Sequence, residues 1–260
     1  MSRLILLSDL HFGLHRGDLV DPLIRRVNAA RADLVVITGD LTHRARAAQF
    51  DLARDFLPRL TAPWITVPGN HDVPLFNILA RLWWPWDGYR RTIDPVLAPA
   101  RDLGALRVIG VNTTDPHVWQ RGRIDDATRA RVTATLRARP DAIGVIALHH
   151  PLIQRPTITK TPTEGADEAL ADWTAAGARL ILSGHIHIWD VLGLGHGPLH
   201  IQAGTALCDR LHDRQNEYAV LDFDGPALRI TRHIVPMGST DFQPPDRLDY
   251  AWTGSGWHQP

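Results

Sequence analysis

The sequence predicts an α/β fold, in which helices pack on β-sheets, and two observations support this. Short apolar runs typical of buried strands alternate with helical patterns along most of the 260 residues. Five of these runs end in a cluster of polar residues, and α/β sheets bind ligands beyond the carboxyl ends of their strands. The composition, with 44% hydrophobic and 22% charged residues, is that of a globular protein with a substantial core.

Six short apolar runs have the length of buried strands. They span residues 4–7, 34–38, 64–67, 107–111, 143–148 and 179–182. Four helices are predicted between them, at about residues 19–30, 46–57, 125–138 and 165–176. The third helix has Asp125 or Asp126 as its N-cap, Pro140 beyond its end, and Val132 and Leu136 on one face.

The last part of the chain predicts a hairpin followed by a tail. Residues 218–223 and 227–235 alternate in polarity and are joined by Asp224-Gly225-Pro226, which indicates a β-hairpin. We therefore expect a single domain over residues 1–235. Residues 236–260 are rich in Pro, Gly, Asp and Trp without periodicity, which predicts an irregular C-terminal tail packed on the domain.

Charge and cysteine content exclude several classes of protein. The 28 basic residues equal the 28 acidic residues, so nucleic acid is not favoured as a partner. The single cysteine, Cys208, excludes an internal disulfide and a thiol-bound structural zinc, and we predict a small, partly buried residue there. The N-terminal apolar run is too short for a signal peptide and no run approaches a membrane span. We expect a cytoplasmic protein without a transmembrane segment.

The polar clusters after the strands contain the residue types that bind metal ions. They read Ser8-Asp9-Leu10-His11, Gly39-Asp40, Gly69-Asn70-His71-Asp72, His149-His150-Pro151 and Gly184-His185-Ile186-His187. Asp9 with His11, and His185 with His187, are pairs of donors two residues apart, which point the same way at a strand end. Asp40 offers two oxygens and can bridge two cations. Carboxylate and imidazole ligands suit Zn, Mn or Fe.

The ordered set Asp-x-His, Gly-Asp, Gly-Asn-His-Asp, His and Gly-His-x-His resembles the calcineurin-like metallophosphoesterases. The motifs run from residue 9 to residue 187. The resemblance implies a four-layer α/β/β/α sandwich of two mixed β-sheets flanked by helices. It also implies two divalent or trivalent transition-metal ions as cofactors, namely Mn, Fe or Zn, with Mg as a further option. One ion would be held by Asp9, His11, Asp40 and His187, and the other by Asp40, Asn70, His149 and His185.

The resemblance also implies a mechanism. A water molecule that bridges the two ions would lose its proton near neutral pH and attack phosphorus in line, with no covalent enzyme intermediate. His71 resembles the catalytic histidine of the family, which stabilises the phosphoryl oxygens and protonates the leaving group. We predict that Asp72 orients His71, and that His149 and not His150 is the metal ligand.

Two further features resemble the bacterial class III cyclic-nucleotide phosphodiesterases. One is His149-His150-Pro151, and the other is the stretch Ala203-Gly204-Thr205-Ala206 with Arg210, Asn216 and Tyr218. The resemblance predicts a phosphodiesterase that hydrolyses small phosphodiesters, with cyclic nucleotides as the first choice. We predict that His43, Arg44 and His150 contact the substrate.

Several alternatives stay open at this point. A histidine three residues after Asp40 also occurs in DNA nucleases of this superfamily, so His43 is compatible with a nuclease. The tryptophans Trp83, Trp84 and Trp86 suggest a lid, an apolar platform for a base or an acyl chain, a homodimer contact or simple core packing. The same cluster leaves open a lipid-linked diester or pyrophosphate substrate. A non-catalytic binding scaffold is the remote alternative, because every ligand of the family motif is present.

Overall fold

The structure, a computed structural model, describes residues 1–193, 196–210 and 215–260. Its strands are β1 (Ser2–Leu7), β2 (Leu34–Ile37), β3 (Trp64–Thr66), β4 (Ala100–Leu103), β5 (Leu106–Val111), β6 (Ile143–Leu148), β7 (Ala178–Ser183), β8 (Asp190–Gly193), β9 (Leu199–Gln202), β10 (Gln215–Asp224), β11 (Ala227–Pro236), β12 (Asp246–Trp252) and β13 (Trp257–His258). The α-helices are α1 (Gly17–Ala29), α2 (Ala47–Phe56), α3 (Ile78–Trp83), α4 (Asp87–Thr92), α5 (Asp126–Arg137) and α6 (Ala166–Ala175).

The strands form two mixed sheets. The seven-stranded sheet has the order β13-β12-β11-β10-β1-β2-β3, and the six-stranded sheet has the order β4-β5-β6-β7-β9-β8. In the first sheet β1, β2 and β3 are parallel, and β10 pairs with β1 in the antiparallel direction. In the second sheet β5, β6, β7 and β9 are parallel, with antiparallel strands at both edges.

Alternation along the strands divides the core into layers, since successive side chains of a strand face opposite sides of a sheet. Leu4 and Leu6 of β1 are buried in the cluster that both sheets share. Ile5 and Leu7 face the other way and pack in the cluster that α1 and α2 cover. A third cluster lies between the outer face of the six-stranded sheet and helices α5 and α6, where Trp173 is fully buried. The predicted α/β/β/α sandwich is therefore confirmed.

The six predicted strands and four predicted helices are confirmed, each within about two residues at either end. The irregular tail is wrong for residues 246–252, which form β12 and pair with β11. The side chains of Leu248, Tyr250 and Trp252 alternate with Asp249 and Ala251 and pack against the core between the sheets. The Pro- and Gly-rich flanks obscured this strand pattern. Strands β4, β8, β9 and β13 and helices α3 and α4 were not predicted either.

The strand directions determine where a site can form. Strands β1, β2 and β3 end at one edge of their sheet, and β6 and β7 end at the corresponding edge of the other sheet. The polar clusters of the sequence follow directly after these five strands. Among the described residues, no helix is both long and apolar enough to cross a membrane.

Candidate active site

The structure brings the five polar clusters together where the two sheets meet. Backbone hydrogen bonds join the loop after β1 to the loop after β2, from Asp9 N–H to the carbonyl of Gly39 at 3.1 Å and from His11 N–H to that of Asp40 at 2.9 Å. The loops of the other sheet are joined by Gly184 N–H, which donates to the carbonyl of His149 at 3.0 Å. All seven predicted metal ligands are buried in this region.

A first set of donor atoms comes from three loops. Nε2 of His11 lies 3.0 Å from Nε2 of His187, 3.5 Å from Oδ1 of Asp9 and 3.4 Å from Oδ2 of Asp40. Nε2 of His187 lies 3.0 Å from Oδ1 of Asp9. Two imidazole nitrogens and two carboxylate oxygens at such separations surround a point that suits a transition-metal ion. Asp9, His11 and Asp40 thus form a cluster able to hold a metal ion.

A second set of donor atoms adjoins the first. Nε2 of His149 lies 3.3 Å from Oδ2 of Asp40 and 3.2 Å from Oδ1 of Asn70. Nδ1 of His149 lies 2.8 Å from the carbonyl oxygen of Thr38, so this nitrogen carries a proton and Nε2 is the ring nitrogen that faces the cluster. The ring of His185 is 5.1 Å from that of His149. One oxygen of Asp40 therefore adjoins both donor sets.

The backbone of the predicted ligands is strained. Among the described residues, seven non-glycine residues have a positive φ in the left-handed region. Five of them are Asp9, His11, Asp40, His185 and His187. Each such conformation costs about 1–3 kcal/mol for a residue with a Cβ and persists where the surrounding structure enforces it. This left-handed conformation is concentrated at five of the predicted ligands. The loops that carry them are therefore shaped for function and not for stability.

Two glycines allow the loops to approach one another. Gly39 has a φ of +90°, and a Cβ there would lie 2.7 Å from Nδ1 of His149. A Cβ on Gly69 would collide with the carboxylate and backbone nitrogen of Asp40. Side chains at these positions would push the donor sets apart, which accounts for glycine directly before Asp40 and Asn70.

The charge states of the predicted ligand residues are determined by burial and by attraction between carboxylates and imidazoles. Burial raises the pKa of Asp40, but nearby histidines outweigh it and hold the pKa well below the usual range. Burial holds the pKa of His185 well below its usual value, so this imidazole is neutral. Burial also lowers the pKa of His149, but the Asp40 carboxylate outweighs it and raises the pKa to about 9. Ionised carboxylates and neutral imidazoles bind metals, and a metal ion competes with the proton for the same lone pairs.

His71 lies at the mouth of this cluster. Its Nδ1 is 2.5 Å from the carbonyl oxygen of His43, and its backbone N–H donates to Oδ1 of Asp40 at 2.8 Å. The rings of His43 and His71 stack with their centroids 5.4 Å apart. A carbonyl oxygen can only accept, so Nδ1 carries a proton and Nε2 is the free position of the ring.

The prediction that Asp72 orients the His71 ring is wrong. The His43 carbonyl has that role, and Asp72 is turned toward backbone amides instead. The Asp72 carboxylate accepts hydrogen bonds from the N–H groups of Leu41, Thr42 and Gly69 at 2.8–3.1 Å. Burial and the neighbouring Asp40 charge raise the pKa of Asp72 to about 6. Asp72 thus ties together the two loops that carry Asp40 and Asn70.

The three residues predicted to contact substrate have different positions. His43 lines the pocket above the cluster, and its contact with substrate stays a prediction. His150 is only 1% exposed and its backbone and ring bond to Thr113, so the predicted substrate contact is wrong. The guanidinium of Arg44 lies over the ring of Phe76, 5.2 Å from its centroid, and a contact with substrate stays a prediction.

The pocket above the cluster has a volume of about 240 Å³ and contains residues that sequence reasoning missed. They are Gln120, Lys160 and Cys208, and Arg210, which carries part of the resemblance to the cyclic-nucleotide phosphodiesterases, lines the pocket as well. Nζ of Lys160 donates to the carbonyl of His185 at 2.5 Å. Lys160 lies in a loop without periodicity, and its only signal was that it is the single lysine in the chain.

An apolar surface adjoins the pocket. We call it the apolar rim, and it consists of Phe76, Ile78, Leu79, Leu82, Trp83, Trp84 and Trp119, all exposed. Trp83 and Trp84 are 62% and 64% exposed, so the core-packing reading of the tryptophan segment is wrong for these two. Buried Arg81 connects the rim to the pocket wall, since its guanidinium donates to the carbonyl of Val118 and covers the Trp119 ring. The next residue, Gln120, lines the pocket.

An α/β/β/α sandwich with Asp, Asn and His donors at the ends of its strands defines the class of metallophosphoesterases. Residues 2–189 match the calcineurin-like phosphoesterase family, and the chain belongs to that family.

Relatives and a solved structure agree with this assignment. A probable cyclic nucleotide phosphodiesterase of Rhodopseudomonas palustris is 31% identical over 222 residues, 78% of each chain. Another, of Synechococcus sp., is 28% identical over 174 residues, 63% of this chain and 61% of that protein, so the match spans less than two thirds of its length. A dimetal phosphatase from Danio rerio has a TM-score of 0.68 at 14% identity, over 88% of this chain and 95% of that one, which shows the shared fold.

Proposed function

We propose that this protein is a dinuclear-metal-dependent phosphodiesterase that hydrolyses small phosphodiesters, with cyclic nucleotides as the preferred class. The observation that carries the proposal is the position of Asp40, whose Oδ2 lies 3.4 Å from Nε2 of His11 and 3.3 Å from Nε2 of His149. A carboxylate between two donor sets suits a pair of cations. The names of the two relatives support the cyclic-nucleotide class.

The chain's own residues supply the proton and the orientation. When bound, two metal ions would polarise the phosphoryl oxygens and make a water molecule acidic enough to act as the nucleophile near neutral pH. Water adds to phosphorus as the bond to the leaving oxygen breaks, and His71, with a proton on each ring nitrogen, gives the Nε2 proton to that oxygen. The His43 carbonyl holds Nδ1–H of His71, which directs Nε2 to the substrate.

The pocket wall suits one small anion. Lys160 and Arg210 line it together with Gln120, so two cationic side chains and an amide face the substrate. Lys160 is held against the loop that carries His185 by its hydrogen bond to that carbonyl. A volume of about 240 Å³ accommodates a single phosphodiester with part of its ester groups, not a long polymer. The zero net charge likewise does not favour duplex DNA.

The test compares initial rates on 2′,3′- and 3′,5′-cyclic mononucleotides and on duplex DNA, at equal phosphate concentration with Mn. We expect faster hydrolysis of a cyclic nucleotide. Faster cleavage of DNA would replace this proposal by a nuclease. His43→Ala is the internal check, because it should impair all diesters alike in a small-diester enzyme and polymers selectively in a nuclease.

A second candidate substrate class is a lipid-linked phosphodiester, and the apolar rim is the observation that favours it. Residues 73–86 contain one charged side chain, Arg81, and it is buried. The rim could hold the acyl part of a substrate whose phosphate enters the pocket. The double variant Trp83→Ser/Trp84→Ser should then lose activity on a micellar diester but not on a cyclic nucleotide. Met237→Ser, an exposed apolar change elsewhere, is the control.

The same double variant tests the predicted homodimer. If the rim is a contact between two copies of the chain, the wild type should elute as a dimer in size-exclusion chromatography and the variant as a monomer. Equal activity of wild type and variant on micellar and soluble diesters would then remove the lipid candidate.

A further inference from the structure

Cys208 lies beside the first donor set. It is 1% exposed, and its Sγ and one ring nitrogen each of His11 and His187 all lie within 4.8 Å of one another. The same three residues line the pocket above the cluster. The sequence predicted a small, partly buried residue here, whereas Cys208 is fully buried and its neighbours are two of the predicted metal ligands.

Hydrogen bonds place the cysteine relative to the cluster. Its backbone N–H donates to Oγ1 of Thr205 at 2.9 Å, and this hydroxyl donates to the carbonyl of Asp9 at 2.7 Å. The carbonyl of Cys208 accepts a hydrogen bond from Nδ2 of Asn216 at 2.9 Å. These bonds are buried and connect the cysteine to the loop that carries Asp9 and to β10. These hydrogen bonds fix the backbone of Cys208, so its sulfur is held next to the first donor set.

The turn that follows contacts both the sulfur and a ligand histidine. The backbone N–H of Arg210 donates to Sγ of Cys208 at 3.4 Å. The carbonyl oxygen of Arg210 lies 3.3 Å from Nδ1 of His187. A carbonyl that holds Nδ1–H directs Nε2 of the histidine to the metal position. The backbone of Arg210 thus contacts both Sγ of Cys208 and the ring of His187, and both side chains face the first donor set.

We propose that the Cys208 thiolate is a further ligand of the metal ion held by Asp9, His11, Asp40 and His187. The proposal rests on the proposed function, which assigns that ion. Binding would release the thiol proton, so the sulfur enters as an anion. A soft thiolate in a set of oxygen and nitrogen donors selects Zn, Fe or Co over Mg and Mn at this position. The site remains a mixed one with a single sulfur and is distinct from a structural zinc site of several cysteines.

The direct test is X-ray absorption on the wild-type protein loaded with Zn. A sulfur neighbour at about 2.3 Å is expected, besides the shorter nitrogen and oxygen shell. Protein loaded with Co should show a thiolate-to-metal charge-transfer band in the near ultraviolet, and Cys208→Ser should abolish it. Cys208→Ser should also bind Zn at least about 10-fold more weakly, because loss of a residue that merely supports a ligand already has an effect of that size. The change in Mn affinity should be smaller.

Asp9→Asn separates this proposal from the proposed function. Suppose that the wild type binds Co, that Asp9→Asn abolishes this binding, and that the wild type shows neither the sulfur neighbour nor the charge-transfer band. Cys208 is then not a ligand, and the assignment of the metal ion to Asp9, His11, Asp40 and His187 stands. If metal content does not respond to Asp9→Asn, the donor set itself is wrong, and the cysteine proposal is overturned with it. The absorption measurement uses the native chain and does not depend on the folding of a variant.

Discussion

Nε2 of His149 lies 3.3 Å from Oδ2 of Asp40, although the two residues follow strands of different sheets. Asp40 comes after β2 of the seven-stranded sheet, and His149 comes after β6 of the six-stranded sheet. The pair therefore joins the two halves of the sandwich at the site. Any change in the packing of the sheets would alter this distance, so the donor sets depend on the core between them.

Asp40→Ala should abolish hydrolysis and lower the metal content well below two ions per chain, because its carboxylate adjoins both donor sets. Loss of a residue that only hydrogen-bonds to a metal ligand costs about 10–100-fold in affinity or activity, so complete loss would distinguish Asp40 from such a residue. Elemental analysis after gel filtration provides the measurement. Asp51→Ala, a surface carboxylate on α2, is the matched control and should retain metal and activity. Two tightly held ions in Asp40→Ala would rule out the bridging role.

His71→Ala should retain both metal ions and lose about 10²–10⁴-fold in kcat, because it removes the proton donor and no metal ligand. The loss should be smaller for a nitrophenyl ester, whose leaving group needs little protonation. His258→Ala, an exposed histidine on β13, serves as the control. An unchanged rate with a poor leaving group would contradict the general-acid role.

Asp72→Asn should weaken metal binding by about 10–100-fold, because the carboxylate joins the loops of Asp40 and Asn70. The fractional loss of activity should be the same for good and poor leaving groups once metal is saturating. This distinguishes a role in loop geometry from the orientation of His71. A loss confined to poor leaving groups would restore the orientation role predicted from the sequence.

His200 should make folding stability depend on pH. Burial outweighs the attraction of Asp190 and lowers the pKa of His200 to about 4, whereas an unfolded chain titrates near 6.5. The unfolded state therefore binds the proton first, and stability is lost as pH falls from 6.5 toward 4. Between pH 7 and pH 5 this group alone should cost about 2 kcal/mol.

The measurement is urea unfolding of the metal-free protein in chelator at both pH values. His200→Gln can keep a hydrogen bond to Ser183, which lies 2.8 Å from the imidazole, and should lose less stability on acidification. His196→Gln, at an exposed histidine, should behave like the wild type. Equal pH dependence of wild type and His200→Gln would show that the buried imidazole is not what titrates.

Local sequence patterns were sufficient for the α/β class, for six strands and four helices, and for selecting seven polar residues that the structure brings together. Apolar runs and residue spacing are properties of neighbouring residues, and the motif after each strand can be read without knowing where the other strands lie. The pattern failed for β12, where the alternation of Leu248, Tyr250 and Trp252 was obscured by flanking turn residues.

Other features depend on contacts between distant segments. The turn of Asp72 toward the amides of Leu41 and Thr42 follows from the packing of the loops after β2 and β3, and the position of Cys208 beside His187 follows from the packing of loops far apart in the sequence. The ligand role of His149 and not His150 stays a prediction. A side chain one or two residues from a predicted ligand can point toward the site or away from it. The loops that pack against that side chain determine its direction. The left-handed backbone of five predicted ligand residues is likewise imposed by the surrounding structure, because a local sequence would not adopt it unaided.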